Sequence, residues 1–468
     1  MDRKERIFRW VDEHREELLE DLKTLCRIPS VKGEPEEDAP YGPGPAAALT
    51  KAMELCEGYG LSVKNHGCRV MTADLGSPEG RELDILAHLD VVPAGDGWDS
   101  DPFEPVLKDD GCLYGRGVAD DKGGAVTALY ALRCVKELGL PVRRGCRLIL
   151  GTDEENGSSD IAYYYKKEKP APNTFTPDSE FPVGNAEKGF YRLRFRKSWE
   201  PETAVPRVTE LAGGSATNAV PTEAWAVIAG MEPQHLMAGA APLCAELGAA
   251  CRVDEEEGGA RLTVVGRGCH AAAPGLGNNA NTILVRVLTE LPLADCASTR
   301  ALKEIDTLLP HGDFLGRALG IAQSDEITKD LTCSFTVIRF HPTEMEGLCD
   351  CRIPLCADQA NCKDVADARL RALGFTSEGA MIPPHHTSAD TPFIRTLLRC
   401  YEAFTGLPGE CYSMGGGTYV HDVPGGVAFG YGMPGADPRM HGANERAPVE
   451  DLFTAAKIFA AAVAELCE

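Results

Sequence analysis

No apolar run in this sequence reaches the roughly eighteen residues that a membrane-spanning helix needs. The opening Met1-Asp2-Arg3-Lys4-Glu5-Arg6 leads into a charged amphipathic segment, without the apolar core of a secretory leader. Basic residues are in the minority, 47 Lys and Arg against 71 Asp and Glu, for a net charge of -24. Nucleic acid and anionic membranes both require a basic footprint, so neither is an expected partner. The excess of acid serves solubility, and a negative field also gathers cations. CxxC pairs, internal repeats and low-complexity linkers are missing as well. The 18 cysteines are scattered, which with no leader segment points to free thiols in a reducing cytosol. Cys349 and Cys351, two apart, share one face of a strand.

What is present is an ordinary globular composition, 43% hydrophobic and 25% charged, over 468 residues. That length suits two large domains or three smaller ones. Residues 2–27 carry Ile7, Trp10, Val11, Leu18, Leu22 and Leu25 at helical spacing, which predicts one helix. The stretch 33–46 is rich in Pro, Gly and acids and reads as a loop. Strands are expected at 83–89 and 146–152, with a helix at 122–138 between them. Such alternation implies a mostly parallel sheet flanked by helices. After about residue 188 the character changes. Strands at 190–197, 222–230, 259–266, 331–340 and 346–353 mix with helices at 237–250, 280–291 and 360–373. Long helices return at 391–404 and 449–466. The expected organisation is an α/β domain in two parts, 1–188 and 387–468, interrupted by an α+β insertion at 189–386.

The chemistry concentrates at the ends of the predicted strands. His88-Leu89-Asp90 closes the first, placing an imidazole and a carboxylate on one side. Alone, that tripeptide is more often a surface pair with no role. Gly115-Arg116-Gly117-Val118-Ala119-Asp120-Asp121-Lys122-Gly123-Gly124 follows, and its paired acids could be a helix cap. Thr152-Asp153-Glu154-Glu155-Asn156-Gly157 crowds three acids after the next strand, which is costly unless cations neutralise them. Pro177-Asp178-Ser179-Glu180 and Met440-His441-Gly442-Ala443-Asn444-Glu445 complete the set. Ligands of open α/β sheets gather at the carboxyl ends of strands. Histidines and carboxylates without cysteine suit a divalent ion such as zinc, manganese or cobalt. A carboxylate beyond the ligand set supplies the base of metal-assisted hydrolysis.

With these residues the chain resembles the two-zinc peptidase family of aminoacylases, glutamate carboxypeptidases and dipeptidases, and most of all its PepV-type dipeptidases. The carrying blocks are His88 to Pro93, Gly95 to Pro105, Gly115 to Gly124, Gly151 to Glu155 and the His441 segment, in the family's order. The resemblance implies a zinc-exopeptidase-like catalytic domain with a large inserted lid domain. It implies two divalent ions, Zn2+ first, with Mn2+ and Co2+ as alternatives. His88 and Asp178 would hold one, Glu155 and His441 the other, and Asp120 would bridge them ahead of a cis bond to Asp121. Glu154 would be the general base, Asp90 would orient His88, and Asp153 would be solvated or capping.

The insertion carries a second group by the same resemblance. His270, in Gly266-Arg267-Gly268-Cys269-His270, would bind the substrate carbonyl, although a lone histidine there also suits a plain surface position. Asn218 would hydrogen-bond the substrate, and Arg352 would meet its terminal carboxylate; a turn residue and a structural salt bridge are the alternatives. Gly415 and Gly416, in Met414-Gly415-Gly416-Gly417-Thr418-Tyr419, would offer backbone N–H groups, or simply form a tight turn. The implied activity is metal-dependent hydrolysis of dipeptides with a free amino terminus, by a monomer supplying its own lid. A deacylase of the same family and a metal-binding protein without turnover are the rival readings.

Overall fold

The computed structural model describes residues 2–468. They form two compact units. The first comprises Met1–Ala186, His386–Ser413 and Gly417–Glu468. The second comprises Glu187–His385 with Met414–Gly416.

The first unit is built on a sheet whose strand order runs Ser62–His66, Val70–Leu75, Cys146–Gly151, Leu83–His88, Asn173–Thr176, Val427–Ala428 and Val183–Glu187. Leu83–His88 lies parallel to both neighbours, and Val427–Ala428 runs parallel to Asn173–Thr176. Antiparallel pairs close both sides of this parallel centre. Every residue of Leu83–His88 and Cys146–Gly151 is buried, as a strand covered on both faces requires. Helix Lys122–Glu137 is buried along nearly all its length, and packs on Val449–Leu466. Alanines at 455, 456, 460, 462 and 464 let the latter approach closely, while Phe459 meets Phe175, Phe181 and Phe429.

The N-terminal helix departs from expectation, since it is two helices, Arg3–Glu13 and Arg15–Cys26. His14 breaks the ladder, its ring stacked on Trp10 and its Nδ1 2.7 Å from the Trp10 carbonyl oxygen. The apolar stripe nonetheless continues through both. The expected loop 33–46 ends early, because helix Pro43–Gly58 begins inside it. Gly42, at φ 96°, makes the turn, and Pro43 occupies a first-turn position where its missing N–H costs nothing.

The second unit is an antiparallel sheet in the order Ala250–Glu256, Gly259–Val265, Glu223–Ala229, Arg207–Gly213, Thr332–His341, Glu344–Ile353, Gly189–Ser198, Thr376–Glu378. Gly189–Ser198 shows the pattern that makes it amphipathic: Tyr191, Leu193 and Phe195 are buried while Arg192, Arg194 and Arg196 face outward. Helices Ala280–Glu290 and Ala297–Leu308 supply the rest of its core. The helix expected at 237–250 lies at Pro233–Glu246 instead. It starts at a proline, and the chain turns into the strand Ala250–Glu256 soon after it ends.

Candidate metal centre

Three adjacent parallel strands of the first unit end side by side. His88 is the last residue of its strand, Thr152–Glu155 follow Cys146–Gly151, and Asp178 follows Asn173–Thr176. Asp120 comes from the turn that opens helix Lys122–Glu137, where the Asp120–Asp121 peptide is cis, as expected. His441 arrives from the loop before Arg446–Pro448, in a left-handed conformation at φ 62°.

These residues converge. Asp120 Oδ1 lies 3.0 Å from His88 Nε2, and Asp120 Oδ2 lies 2.9 Å from His441 Nε2. Asp178 Oδ2 is 3.8 Å from His88 Nε2, and Glu155 Oε2 is 3.2 Å from His441 Nε2. Ligand atoms of His88, Asp120 and Glu155 lie within 4.8 Å of one another, as do those of His88, Glu154 and Asp178. The structure thus brings together seven of the residues named from the sequence, counting Asp90.

The electrostatics follow from this crowding of imidazoles and carboxylates. His88 Nδ1 lies 3.0 Å from the Asp90 main-chain carbonyl oxygen, an acceptor only, so Nδ1 carries the proton. In the neutral ring Nε2 then turns a lone pair toward the carboxylates of Asp120 and Asp178. That arrangement is repulsive unless a proton or a cation stands between them. Burial would push the His88 pKa down, but Asp120, Asp90 and Asp178 outweigh it and hold it well above the usual value. Burial, helped by neighbouring carboxylates, pushes Glu154 well up and Asp178 up to about 7. His441 is held up to about 11 by its bonds to Asp120 and Glu155. Glu155 Oε1 is buried without a hydrogen-bond partner. Two imidazoles and clustered carboxylates with an orphaned oxygen fit divalent cations.

The supporting residues depart from the sequence reading in instructive ways. The Asp90 carboxylate stands 3.6 Å from His88 Nδ1, while its oxygens accept the backbone N–H groups of Glu154 and Glu155 at 3.1 and 3.2 Å. Asp90 therefore orients His88 through its carbonyl and the acidic turn through its carboxylate. Asp153 is buried rather than solvated. It pairs with Lys32 Nζ at 2.7 Å and accepts from Ser159 Oγ at 2.5 Å. The end of a buried strand leaves no water for it, so a cation must come from elsewhere in the chain. Sequence reasoning missed Asp160 and Tyr419. Asp160 Oδ2 accepts the N–H groups of Thr152 and Asp153 and the Tyr419 hydroxyl, at 2.6, 3.0 and 2.6 Å. No motif marks them, since their partners are backbone groups or lie far along the chain.

The second unit groups its own named residues. Ala219 pairs with His270 across two short strands, and the Asn218 carbonyl accepts the Ala271 N–H at 2.8 Å. The Ala272 N–H donates to His270 Nδ1 at 3.1 Å, so the neutral ring carries its proton on Nε2. Arg352 is buried, and its fork is already engaged with Asp350 at 2.6 and 3.3 Å. The structural salt bridge left open by the sequence is therefore present. Strand alternation, which puts residues two apart on one face, is the signal that could have found it. Arg352 Nη1 donates to the Gly415 carbonyl oxygen at 2.9 Å. Gly415 thus meets Arg352 through its carbonyl. A side chain at Gly416 would meet nothing within 4 Å.

Known proteins share this architecture and sequence. The Beta-Ala-Xaa dipeptidase of Lactobacillus delbrueckii subsp. lactis is 33% identical over 457 residues, 96% of each chain. YtjP of Bacillus subtilis (strain 168) is 33% identical over 461 residues, 97% of this chain and 98% of its own. The crystal structure of human carnosine dipeptidase 1 aligns with 100% of this chain and 99% of its own, at a TM-score of 0.63 and 16% identity. That last likeness speaks for the fold. Residues 85–465 match the model of peptidase family M20/M25/M40, and the chain belongs to that family.

Proposed function

We propose that this protein hydrolyses dipeptides with a free amino terminus, using two divalent metal ions. The observation that carries the reading is the cluster itself: two imidazoles and two carboxylates arranged around Asp120, with Glu154 surplus beside them. Its 33% identical relative is named a Beta-Ala-Xaa dipeptidase, which favours dipeptides over N-acyl amino acids.

His88 and Asp178 would hold one ion, Glu155 and His441 the other, and Asp120 both. When bound, such ions polarise a carbonyl and lower the pKa of water. The chain's own residues do the rest. Glu154, desolvated among carboxylates, accepts the proton of the attacking water and returns it to the leaving amine. Asp90 keeps Glu154 and Glu155 in place through their backbone N–H groups. His270, with its proton on Nε2, is the donor we assign to the negative charge that develops on the carbonyl oxygen. Asn218, just before the strand that pairs with His270, accepts the Ala271 N–H and is assigned to the substrate. Arg352 and Gly415, joined by a hydrogen bond, are assigned to the carboxylate end, with Arg352 holding the glycine turn in shape. Zn2+ is the first candidate, with Mn2+ and Co2+ next. All 18 cysteines are free, which supports a reducing cytosol as the working compartment. Among the described residues no helix is long and apolar enough to cross a membrane.

The test strips the protein with chelator, reloads it with zinc or manganese, and compares a free-amine dipeptide with its N-acetylated twin. Metal-dependent cleavage of the free-amine form alone is expected. Cleavage of the acetylated form alone would make it a deacylase. Binding of two ions with no cleavage of either would favour a non-catalytic role.

A further inference from the structure

Among the residues of the sequence blocks still without a role are Arg116 and Glu445. Arg116 and Glu445 are fully buried, and Arg116 Nη1 donates to Glu445 Oε2 at 2.6 Å. The other oxygen, Glu445 Oε1, accepts three backbone N–H groups, from Gly117 at 3.0 Å, Ala119 at 2.9 Å and Asp120 at 3.1 Å. Arg116 Nη2 reaches the carbonyl oxygens of Ala94 and Gly442 at 3.2 Å and of Pro93 at 3.4 Å. The pair therefore joins three segments: the one after His88 and Asp90, the one ending in Asp120, and the one beginning with His441.

A buried ion pair adds little net stability, because desolvation offsets its attraction. What this pair supplies is geometry. One carboxylate with four donors cannot shift without breaking several charge-assisted bonds together. The segment it anchors needs restraint. His441 and Asn444 both adopt left-handed backbone, at φ 62° and 59°, which L side chains disfavour. Gly442, next to His441, is held by Arg116, and Asn444 Oδ1 accepts the Asp99 N–H at 3.0 Å. His441 is the exposed member of the cluster, so packing alone does not fix it.

We propose that the Arg116–Glu445 pair is the positioning frame of the metal centre, setting Asp120 against His441 and so controlling the ion held by His441 and Glu155. This rests on the two-metal reading above. His88 is fixed by the fully buried strand that it ends, whereas exposed His441 depends on the loop that the frame anchors. Loss of the frame is therefore felt unequally by the two ions.

The experiment titrates chelator-stripped protein with Mn2+ by calorimetry, follows the spin-coupled pair by electron paramagnetic resonance, and records thermal unfolding of the metal-free form. The double variant Arg116→Met/Glu445→Leu removes both charges, so neither is left unpaired. It leaves three backbone N–H groups without their acceptor, so it is expected to melt below the wild type, to lose affinity for one ion by about 10–100-fold, and to lose the coupled signal. The other ion, which shares Asp120, should weaken clearly less. Glu445→Gln keeps an acceptor for the three N–H groups, should retain more of the affinity, and serves alone if the double variant does not fold. Unchanged affinity for both ions in a folded variant, or equal weakening of both, overturns the proposal. Wild type binding fewer than two ions would defeat the two-metal reading, and this inference with it.

Discussion

Asp120 Oδ2 lies 2.9 Å from His441 Nε2, a contact between residues far apart in the chain. The same carboxylate turns its other oxygen to His88. One side chain thus links both halves of the cluster. Asp120→Asn keeps the size but gives up one oxygen and the charge. It is expected to abolish binding of the metal pair and to reduce hydrolysis by more than the ~10–100-fold typical of losing an outer partner. Metal stoichiometry by elemental analysis checks this. Two ions retained in the variant would remove Asp120 from the bridging position.

Glu154 groups with His88 and Asp178, whereas Asp120 touches both histidines. Burial among carboxylates pushes its pKa well above the ordinary value. Glu154→Gln is expected to leave both ions bound and to lower kcat by about 10²–10⁴-fold, the range for general base catalysis. Near wild-type turnover in the variant would assign the base elsewhere.

His270 belongs to the second unit and holds no position in the cluster of carboxylates. His270→Ala should leave metal content untouched and lower kcat by roughly 10²–10³-fold, as loss of an oxyanion donor does. A change in KM alone would make it a binding residue instead.

Much of this centre was legible because each expected ligand stands at a strand end or beside a glycine turn, where sequence pattern is strong. His88 and Glu155 stand at the ends of buried runs whose length marks them as strands, whereas Asn173–Thr176, before Asp178, is too short and polar to read as one. The residues that hold the ligands were not legible. Asp160, Tyr419, Lys32 and Glu445 act on backbone groups or on partners far along the chain, and neither leaves a local spacing. Helix Pro43–Gly58 escaped for another reason. Pro, Gly and Ala dominate its first turns, so its composition reads as a turn although Pro43 and Pro45 sit where a helix tolerates them. Asp350 and Arg352 were legible as a pair, being two apart in a strand, but the expected substrate role obscured it.

Gly151 ties the support network to the strand. A Cβ there would lie 2.1 Å from the Tyr419 hydroxyl oxygen and 2.3 Å from Asp160 Oδ2. These two groups bond each other and hold the turn 152–155. Gly151→Ala must therefore part them or shift the strand. A destabilisation of about 1–3 kcal/mol is expected from overpacking, with weaker metal binding besides. Chemical denaturation of the metal-free protein measures the first, and an unchanged midpoint would mean that the neighbours yield freely.

His66 gives the fold itself a pH dependence away from the metal centre. It is buried at the end of strand Ser62–His66, with Nε2 3.1 Å from Thr72 Oγ1 and its ring edge-on to Tyr164. Burial, assisted by the Lys64 charge, lowers its pKa to about 4. In the unfolded chain the imidazole titrates near ~6.5. Between these values the unfolded state binds the proton that the folded state refuses. The contribution is thus complete above pH ~6.5 and is lost as pH falls toward 4, by roughly 1–3 kcal/mol in all. His66→Gln keeps a polar atom for Thr72 but cannot titrate. Its unfolding free energy should fall less than that of the wild type between pH 7 and pH 4.5, both proteins being metal-free. Parallel curves would show that the ring finds water, or a carboxylate, once protonated.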